Sequence, residues 1–503
     1  MTAAPPPERQ SLTVQTFWFA AAKTIAFILT SIAPLLLVRL LDQTELGFYK
    51  QAFLVVASAQ RVLTLGFGLS AFYFFPRLRN QEKPIVANIV VFNAVIGLAG
   101  WAVFAAYPPV LEAIFGTPDL LGQAHLIGAI IFLWVFSSFL EIAPAAMQET
   151  RMSTILIVTM QLSRMLFMMG AALWSASLEA LLWSAIAQGV LQSLILLWYL
   201  NRQFPGYLGH LSGSEFRKQF GYILPLTAAY FIGVLTADAP QYIVANHFNP
   251  ALFAVFTIGT FQLPLINILH ESVGMVLTPA VSRLHHEGRT RDIAVLLAAA
   301  MRKTAAIAFP VFFGMIVVTH EFIVLLYTKL YAASAPIFAV NLALLPLTFL
   351  IYEPLVRSFD EVRTMLVWVR SVILAVLVLA VWLGVKQDSM TAAIYAVVAA
   401  AAAERLAIFW KLGRLLHLTW ADRGLFTDIG KIAAAGLTGT LVIAALRVAL
   451  IPFGPLAVLL GCGTVFCAVY LAALILFKVP TAEEWQMALG LAQRFRRRPL
   501  NIA

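Results

Sequence analysis

The sequence predicts an all-α polytopic membrane protein with about fourteen transmembrane helices, and three observations carry that reading. Hydrophobic residues make up 61% of the chain and charged residues only 12%, about half the roughly 25% usual in soluble domains. Bilayer-length apolar runs recur from Phe17 to Phe477, and backbone in hydrocarbon must pair within helices or closed barrels. The strict alternation of a membrane barrel is missing from these runs, which leaves helices.

Apolar runs between polar breaks place the spans near 13–38, 46–75, 85–107, 123–147, 153–175, 179–201, 219–245, 251–280, 297–319, 333–356, 364–385, 391–413, 429–450 and 456–477. Pro5, Pro6, Pro7 and Arg9 precede the first run, which holds Lys23 and ends without a small-residue cleavage site. It therefore reads as a span and not as a removable signal peptide. The longest breaks, 201–218 and 414–428, are too short to hold a soluble domain. Cys462 and Cys467 lie on different faces of the last span and read as small buried hydrophobes, neither a disulfide nor a metal site.

An even number of spans puts both termini on one side. Taking that side as cytoplasmic places the great majority of Lys and Arg in or beside inner loops, as the positive-inside rule requires. Arg283, Arg289 and Arg291 and the tail residues Arg494, Arg496, Arg497 and Arg498 then act as topology signals at an anionic leaflet. The net charge of +10 is so explained without nucleic acid as a partner. The turn 246–250 faces outward and the loop 283–302 inward.

Sliding the chain by 206 residues superposes Pro34 on Pro240, Leu46 on Leu252, Gly68 on Gly274, and Arg77 and Leu78 on Arg283 and Leu284. Both copies occupy a span, a short outer turn, a second span and a basic inner loop, which suggests two pseudo-repeated six-helix lobes. The expected organisation is a cytoplasmic tail 1–12, an N-lobe 13–201, an inter-lobe loop 202–218, a C-lobe 219–413, two extra helices in 414–478 and a basic tail 479–503.

Charges deep in the spans are the informative feature, because each costs roughly 3 kcal/mol at a helix centre. Lys23, Arg61 and Arg164 sit centrally in the first, second and fifth spans. Each belongs to a polar stripe at helical spacing: Thr16, Lys23, Thr30 and Pro34; then Gln51, Ser58, Arg61 and Gly68; then Ser153, Gln161 and Arg164. Such stripes face a watery interior, so the three cations are candidates for a cationic substrate-binding cavity. The alternative is that each pairs with a buried carboxylate, with Glu141 in the fourth span as one partner.

The second half has the opposite sign. Asp238 lies in the seventh span beside Gln241 and Tyr242, and Glu271 lies in the eighth on a face with Thr257, Thr260, Pro264 and Asn267. Both are candidates for ion coupling or gating, since a carboxylate in a low-dielectric cavity takes up protons near neutral pH. The competing reading is that they balance the first-half cations. Glu353 stands four residues before Arg357 and Glu404 beside Arg405, and both read as structural ion pairs. No His, Cys or carboxylate cluster has metal-ligand spacing and no Gly-rich phosphate loop follows a strand. The sequence therefore calls for no cofactor, no metal and no catalytic residue.

The stretches Pro34-Leu-Leu-Leu-Val-Arg-Leu-Leu41, Glu45-Leu-Gly-Phe-Tyr49, Leu65-Gly-Phe-Gly-Leu-Ser-Ala71 and Phe75-Pro-Arg77 complete the pattern. Over roughly residues 12–84 the chain resembles Wzx-type polysaccharide flippases, the O-antigen and exopolysaccharide branch of the multidrug/oligosaccharidyl-lipid/polysaccharide exporter superfamily. The resemblance implies two six-helix lobes around a central cavity, working by alternating access in the bacterial inner membrane. It implies an undecaprenyl-diphosphate-linked oligosaccharide as substrate, with membrane lipids and polysaccharide polymerase machinery as partners. Buried Lys and Arg suit a diphosphate; the choice of Lys23, Arg61 and Arg164 comes from their position, not from the resemblance. A lipid II flippase is a close rival. A multidrug and toxin extruder is another, although organic cations call for an acidic cavity. A membrane polymerase or glycosyltransferase would need a sizeable loop for its catalytic residues, and the sequence offers none.

Overall fold

The computed structural model describes residues 32, 34–78, 82–481, 484 and 486. Most of the expected first span, Lys23 included, lies outside the described residues. Among those described, the protein is helix and turn without a strand. Ten helices are long and apolar enough to cross a membrane, or eleven if one bent pair is a single span. The principal helices are α1 Gln43–Leu63, α2 Lys83–Ala106, α3 Ala124–Ser137, α4 Thr150–Trp174, α5 Leu178–Gln203, α6 Gly213–His247, α7 Pro250–Gly259 and α8 Pro264–His286. They continue with α9 Thr290–Met315, α10 Thr319–Tyr327, α11 Asp360–Val385, α12 Met390–Leu415, α13 Thr427–Leu450 and α14 Pro455–Leu476.

Two compact units result. The first holds residues up to Thr257 together with Leu374–Ala393; the second holds Ile258–Ile373 and everything from Ile394.

In the first unit, α1 packs against α3, α5 and α6, α2 against α3, and α4 against α5. Phe67, Ile85, Ile89, Phe139, Tyr199 and Tyr207 centre its core. Asp42 starts α1 by accepting the Glu45 N–H at 2.8 Å, Ser177 does the same for α5, and Ser212 for α6. These caps satisfy donors that a helix start leaves unpaired. The Glu45-Leu-Gly-Phe-Tyr49 stretch works as a set of packing nodes. Glu45 Oε2 accepts the Leu178 N–H at the head of α5, 2.7 Å away, and Gly47 lies so close to the Pro250 carbonyl that a Cβ would collide with it.

Helices α1 and α6 run antiparallel and touch at each successive turn. Gln51 donates to the Ala245 carbonyl at 3.3 Å, Tyr242 to the Leu54 carbonyl at 3.4 Å, and Ser58 to Asp238 at 2.7 Å. Just beyond, the expected second span breaks. Leu65 (φ 48°) and Gly66 (φ 65°) both adopt the left-handed conformation, and the chain bends by 44° before continuing as Phe67–Phe74. The Leu65 carbonyl freed by the break accepts the Thr227 hydroxyl of α6 at 2.6 Å. Broken backbone at membrane depth needs such a donor.

In the second unit, α9 packs on α13, α13 on α14, and α8 on the short helix Glu353–Ser358. Val281, Ile293, Leu297, Leu355, Val362 and Ile408 form its core. The expected eighth span is also interrupted, between α7 and α8, and there Asn341 Nδ2 donates to the Phe261 carbonyl at 2.9 Å. The expected tenth span, 333–356, overlaps the candidate span Lys329–Leu347, which is made of successive short helices, Ala335–Asn341 and Leu344–Leu347, with Glu353–Ser358 after it. Pro336, Pro346 and Pro354 explain it: a proline lacks an N–H and clashes with the preceding turn, so the helix restarts there.

Candidate functional site

From Lys50 to Ser58, α1 leaves only Lys50, Phe53 and Ala57 partly exposed, and every other position is buried. The spacing of three and four defines a single stripe, which runs on to Arg61 and Thr64. A stripe that carries charge through the middle of a span faces polar surroundings, not lipid tails.

Arg61 is the centre of this stripe. Its Nη2 donates to both carboxylate oxygens of Asp238, at 2.9 and 2.8 Å, while Nε donates to the Ala57 carbonyl at 3.2 Å. Asp238 is 4% exposed and also takes the Ser58 hydroxyl. The break at Leu65–Gly66 puts Arg61 in the last turn of α1, where the negative end of the helix dipole favours a cation. Some 36% of the Arg61 side chain stays exposed, against 6% for Asp238, and its Nη1 has no protein partner among the described residues. The site thus presents a guanidinium with one edge held by a buried carboxylate and the other edge open.

Arg164 sits differently. Its guanidinium lies 4.1 Å from the Trp134 ring centroid, in an aromatic group that joins Tyr49 to Phe53 (4.6 Å) and Phe53 to Trp134 (5.7 Å). It forms no ion pair among the described residues, and its buried Nε lacks a hydrogen-bond acceptor there. Glu141, the partner considered from sequence, acts on it electrostatically but is exposed at the end of a 3₁₀ turn.

Of the five residues singled out by sequence, the structure brings two into contact, Arg61 and Asp238, both within the first unit. For Arg61 the pairing alternative is therefore the observed one, with Asp238 and not Glu141 as partner. Lys23 lies outside the described residues. Glu271 falls on α8, and its side chain is not among those described.

Sequence reasoning missed other intramembrane charges. Arg370 on α11 donates through Nε and Nη2 to Glu404 on α12, at 3.1 and 3.0 Å, and Tyr352 donates to the same oxygen at 3.2 Å. Glu404 was paired with its neighbour Arg405, yet adjacent residues point about 100° apart on a helix. Arg447 holds the 6%-exposed Glu321 at 2.8 Å. Lys50, which was not singled out from sequence, belongs to the partly open stripe of α1. Its signal was the spacing of three full turns from Arg61. No group of three or more His, Cys, Asp or Glu among the described residues could hold a metal ion.

Apolar spans, two side-chain-capped breaks and a half-open charged pair define a multi-pass α-helical membrane protein. The solved structures agree on the fold. A lipid II flippase, MurJ, in its inward closed conformation matches with a TM-score of 0.71 at 15% identity, over 91% of this chain and 98% of that one. An inward-facing multidrug resistance MATE family transporter of the MOP superfamily matches at 0.57 and 13%, over 78% and 99%. A MOP superfamily transporter from Pyrococcus furiosus, described as having a binding pocket of reversed polarity, matches at 0.53 and 12%, over 81% and 96%. No curated protein matches in sequence. The family model for polysaccharide biosynthesis proteins matches residues 36–336, and the chain belongs to that family.

Proposed function

We propose that this protein flips undecaprenyl-diphosphate-linked oligosaccharide units across the bacterial inner membrane, by alternating access between two lobes, for surface polysaccharide synthesis. The half-open Arg61–Asp238 pair carries the reading. Asp238 offers Arg61 two oxygens about where a phosphate would offer two of its own, so the carboxylate stands in for the headgroup until the substrate displaces it. Arg164 and Lys23 supply further positive charge for the diphosphate. Asp238, freed by that exchange, takes up a proton and couples the cycle to an ion gradient, with Glu271 as the second candidate. Both termini are cytoplasmic in this reading, and polymerase machinery receives the flipped unit outside. The likeness to a lipid II flippase supports lipid II as a second substrate to be tested.

Loss of the gene tests the substrate directly. Undecaprenyl-linked oligosaccharide should accumulate on the inner leaflet; accumulation of lipid II instead would replace this reading by the second. Arg61→Ala should abolish export with the protein still present in the membrane, and Arg61→Lys should restore it only in part, because an ammonium cannot make the bidentate contact. Normal export by Arg61→Ala combined with Arg164→Ala would refute the cationic site.

A further inference from the structure

Lys50 is unaccounted for. It lies on α1 seven residues after Gln43, about 10 Å along a helix that rises about 1.5 Å per residue. Among the described residues it has no ion-pair partner, no hydrogen bond to its ammonium, and no acidic group acting on it; its nearest specific contact is the Tyr49 ring, 5.9 Å away. A lysine in an apolar helix is ordinarily paired or carried to the interface. Here it stands on the partly exposed stripe that Phe53, Ala57 and Arg61 continue.

Eleven residues separate Lys50 from Arg61, about 1100° of rotation at about 100° per residue, so the two fall within about 20° of one another around the helix. They are about 16 Å apart along its axis. Between them stand only Phe53 and Ala57, so nothing on the stripe competes for an anion. The two cations also differ in kind. Arg61 is held by Asp238 and by the end of the helix, while Lys50 is a flexible point charge with nothing opposing it.

We infer that Lys50 is a second phosphate station on the same track, on the outer-leaflet side of Arg61. This rests on the reading of Arg61 as a phosphate site and on the orientation given by the basic loops. A diphosphate leaving Arg61 must cross an apolar span, and Lys50 is the next charge that α1 itself offers along it. Arg61 regains Asp238 as the anion departs, which offsets the cost of leaving the guanidinium. Arg61 therefore governs capture and Lys50 governs passage.

The experiment separates these roles. Lys50→Ala, Lys50→Arg and Arg61→Ala are placed in cells lacking the native copy; surface polysaccharide is measured, and binding of undecaprenyl diphosphate to each purified protein is followed. Lys50→Ala should lower surface polysaccharide by at least about tenfold, the loss of one close charge contact, while binding the probe within about threefold of the unmutated protein. Lys50→Arg, which keeps the charge, should restore export and so exclude a folding defect. Arg61→Ala should lose binding outright. If Arg61→Ala loses binding but Lys50→Ala exports normally, or if Lys50→Ala loses binding as fully as Arg61→Ala, the second station is wrong and the Arg61 reading stands. Should Arg61→Ala retain both binding and export, the phosphate reading itself fails.

Discussion

Removing Arg61 should be far more damaging to the fold than neutralising Asp238, and the asymmetry follows from their burial. Arg61→Ala leaves a 4%-exposed carboxylate with the Ser58 hydroxyl and no counter-charge. Stranding one member of a buried pair costs about 3–5 kcal/mol; a third of the arginine is exposed, so solvent screening places this case near about 3 kcal/mol. Asp238→Asn leaves the guanidinium at a helix end and on an open stripe, where water can serve it, at a cost of about 1 kcal/mol. The double variant should resemble Asp238→Asn alone, giving a coupling energy of about 3 kcal/mol. Unfolding titrations in mixed micelles on the four proteins of the cycle measure this. Equal costs for the two single variants, or strict additivity in the double, would refute the assignment of the pair.

Three further outcomes are expected. Thr227→Val removes the side-chain donor on the Leu65 carbonyl and should destabilise by about 1–2 kcal/mol in the same titration, whereas Thr227→Ser should not. Glu484, at the start of the tail, is pushed up by burial but pulled further down by Arg302 and the Thr481 N–H, and so lies below the ordinary glutamate range. A carboxyl lowered by folding stabilises above its ordinary value and loses that contribution as pH falls through the lowered one. The protection factors of the Val479 and Thr481 amides should accordingly fall in acid, and Glu484→Gln should show the weaker protection already at neutral pH. In a cysteine-free background, a cysteine at Asp388, whose side chain meets His247 at 2.9 Å, should react with impermeant reagents from outside and one at Arg289 only from inside; the reverse would overturn the orientation.

Much of this architecture was legible in the amino-acid sequence because hydrophobicity and helical spacing are local. The last two helices, expected at 429–450 and 456–477, are found at Thr427–Leu450 and Pro455–Leu476. The stripe expected through Gln51, Ser58, Arg61 and Gly68 is not the open one: Gln51 and Ser58 are buried against α6, and Gly68 is buried beyond the break, which leaves Arg61 as its one partly exposed member. Partners were harder. Arg61 and Asp238 are 177 residues apart, and no local pattern sets the register between their helices. Arg370 and Glu404 were within reach of reasoning: they stand equally far from Gln387 in the turn that joins α11 to α12, so an antiparallel hairpin must bring them level. The breaks show the limit from the other side. Leu65-Gly66 reads as continuous apolar span by composition, and only the left-handed backbone, with Thr227 waiting for the freed carbonyl, reveals a helix end in mid-membrane.

That helix end has a consequence for how the protein can control charge without moving any. A left-handed leucine costs roughly 1–2 kcal/mol, and the chain places one four residues after Arg61, the last contact of α1 with Asp238. Any rotation that let Leu65 relax would run α1 on into Phe67–Phe74. Arg61 would then stand in mid-helix and forfeit the terminal dipole, about 0.3–1 kcal/mol, while Thr227 would lose its acceptor. The grip on the guanidinium is therefore set by the peptide geometry at residue 65, a mechanical dial on an electrostatic quantity. A side chain other than glycine at that position keeps the dial under tension.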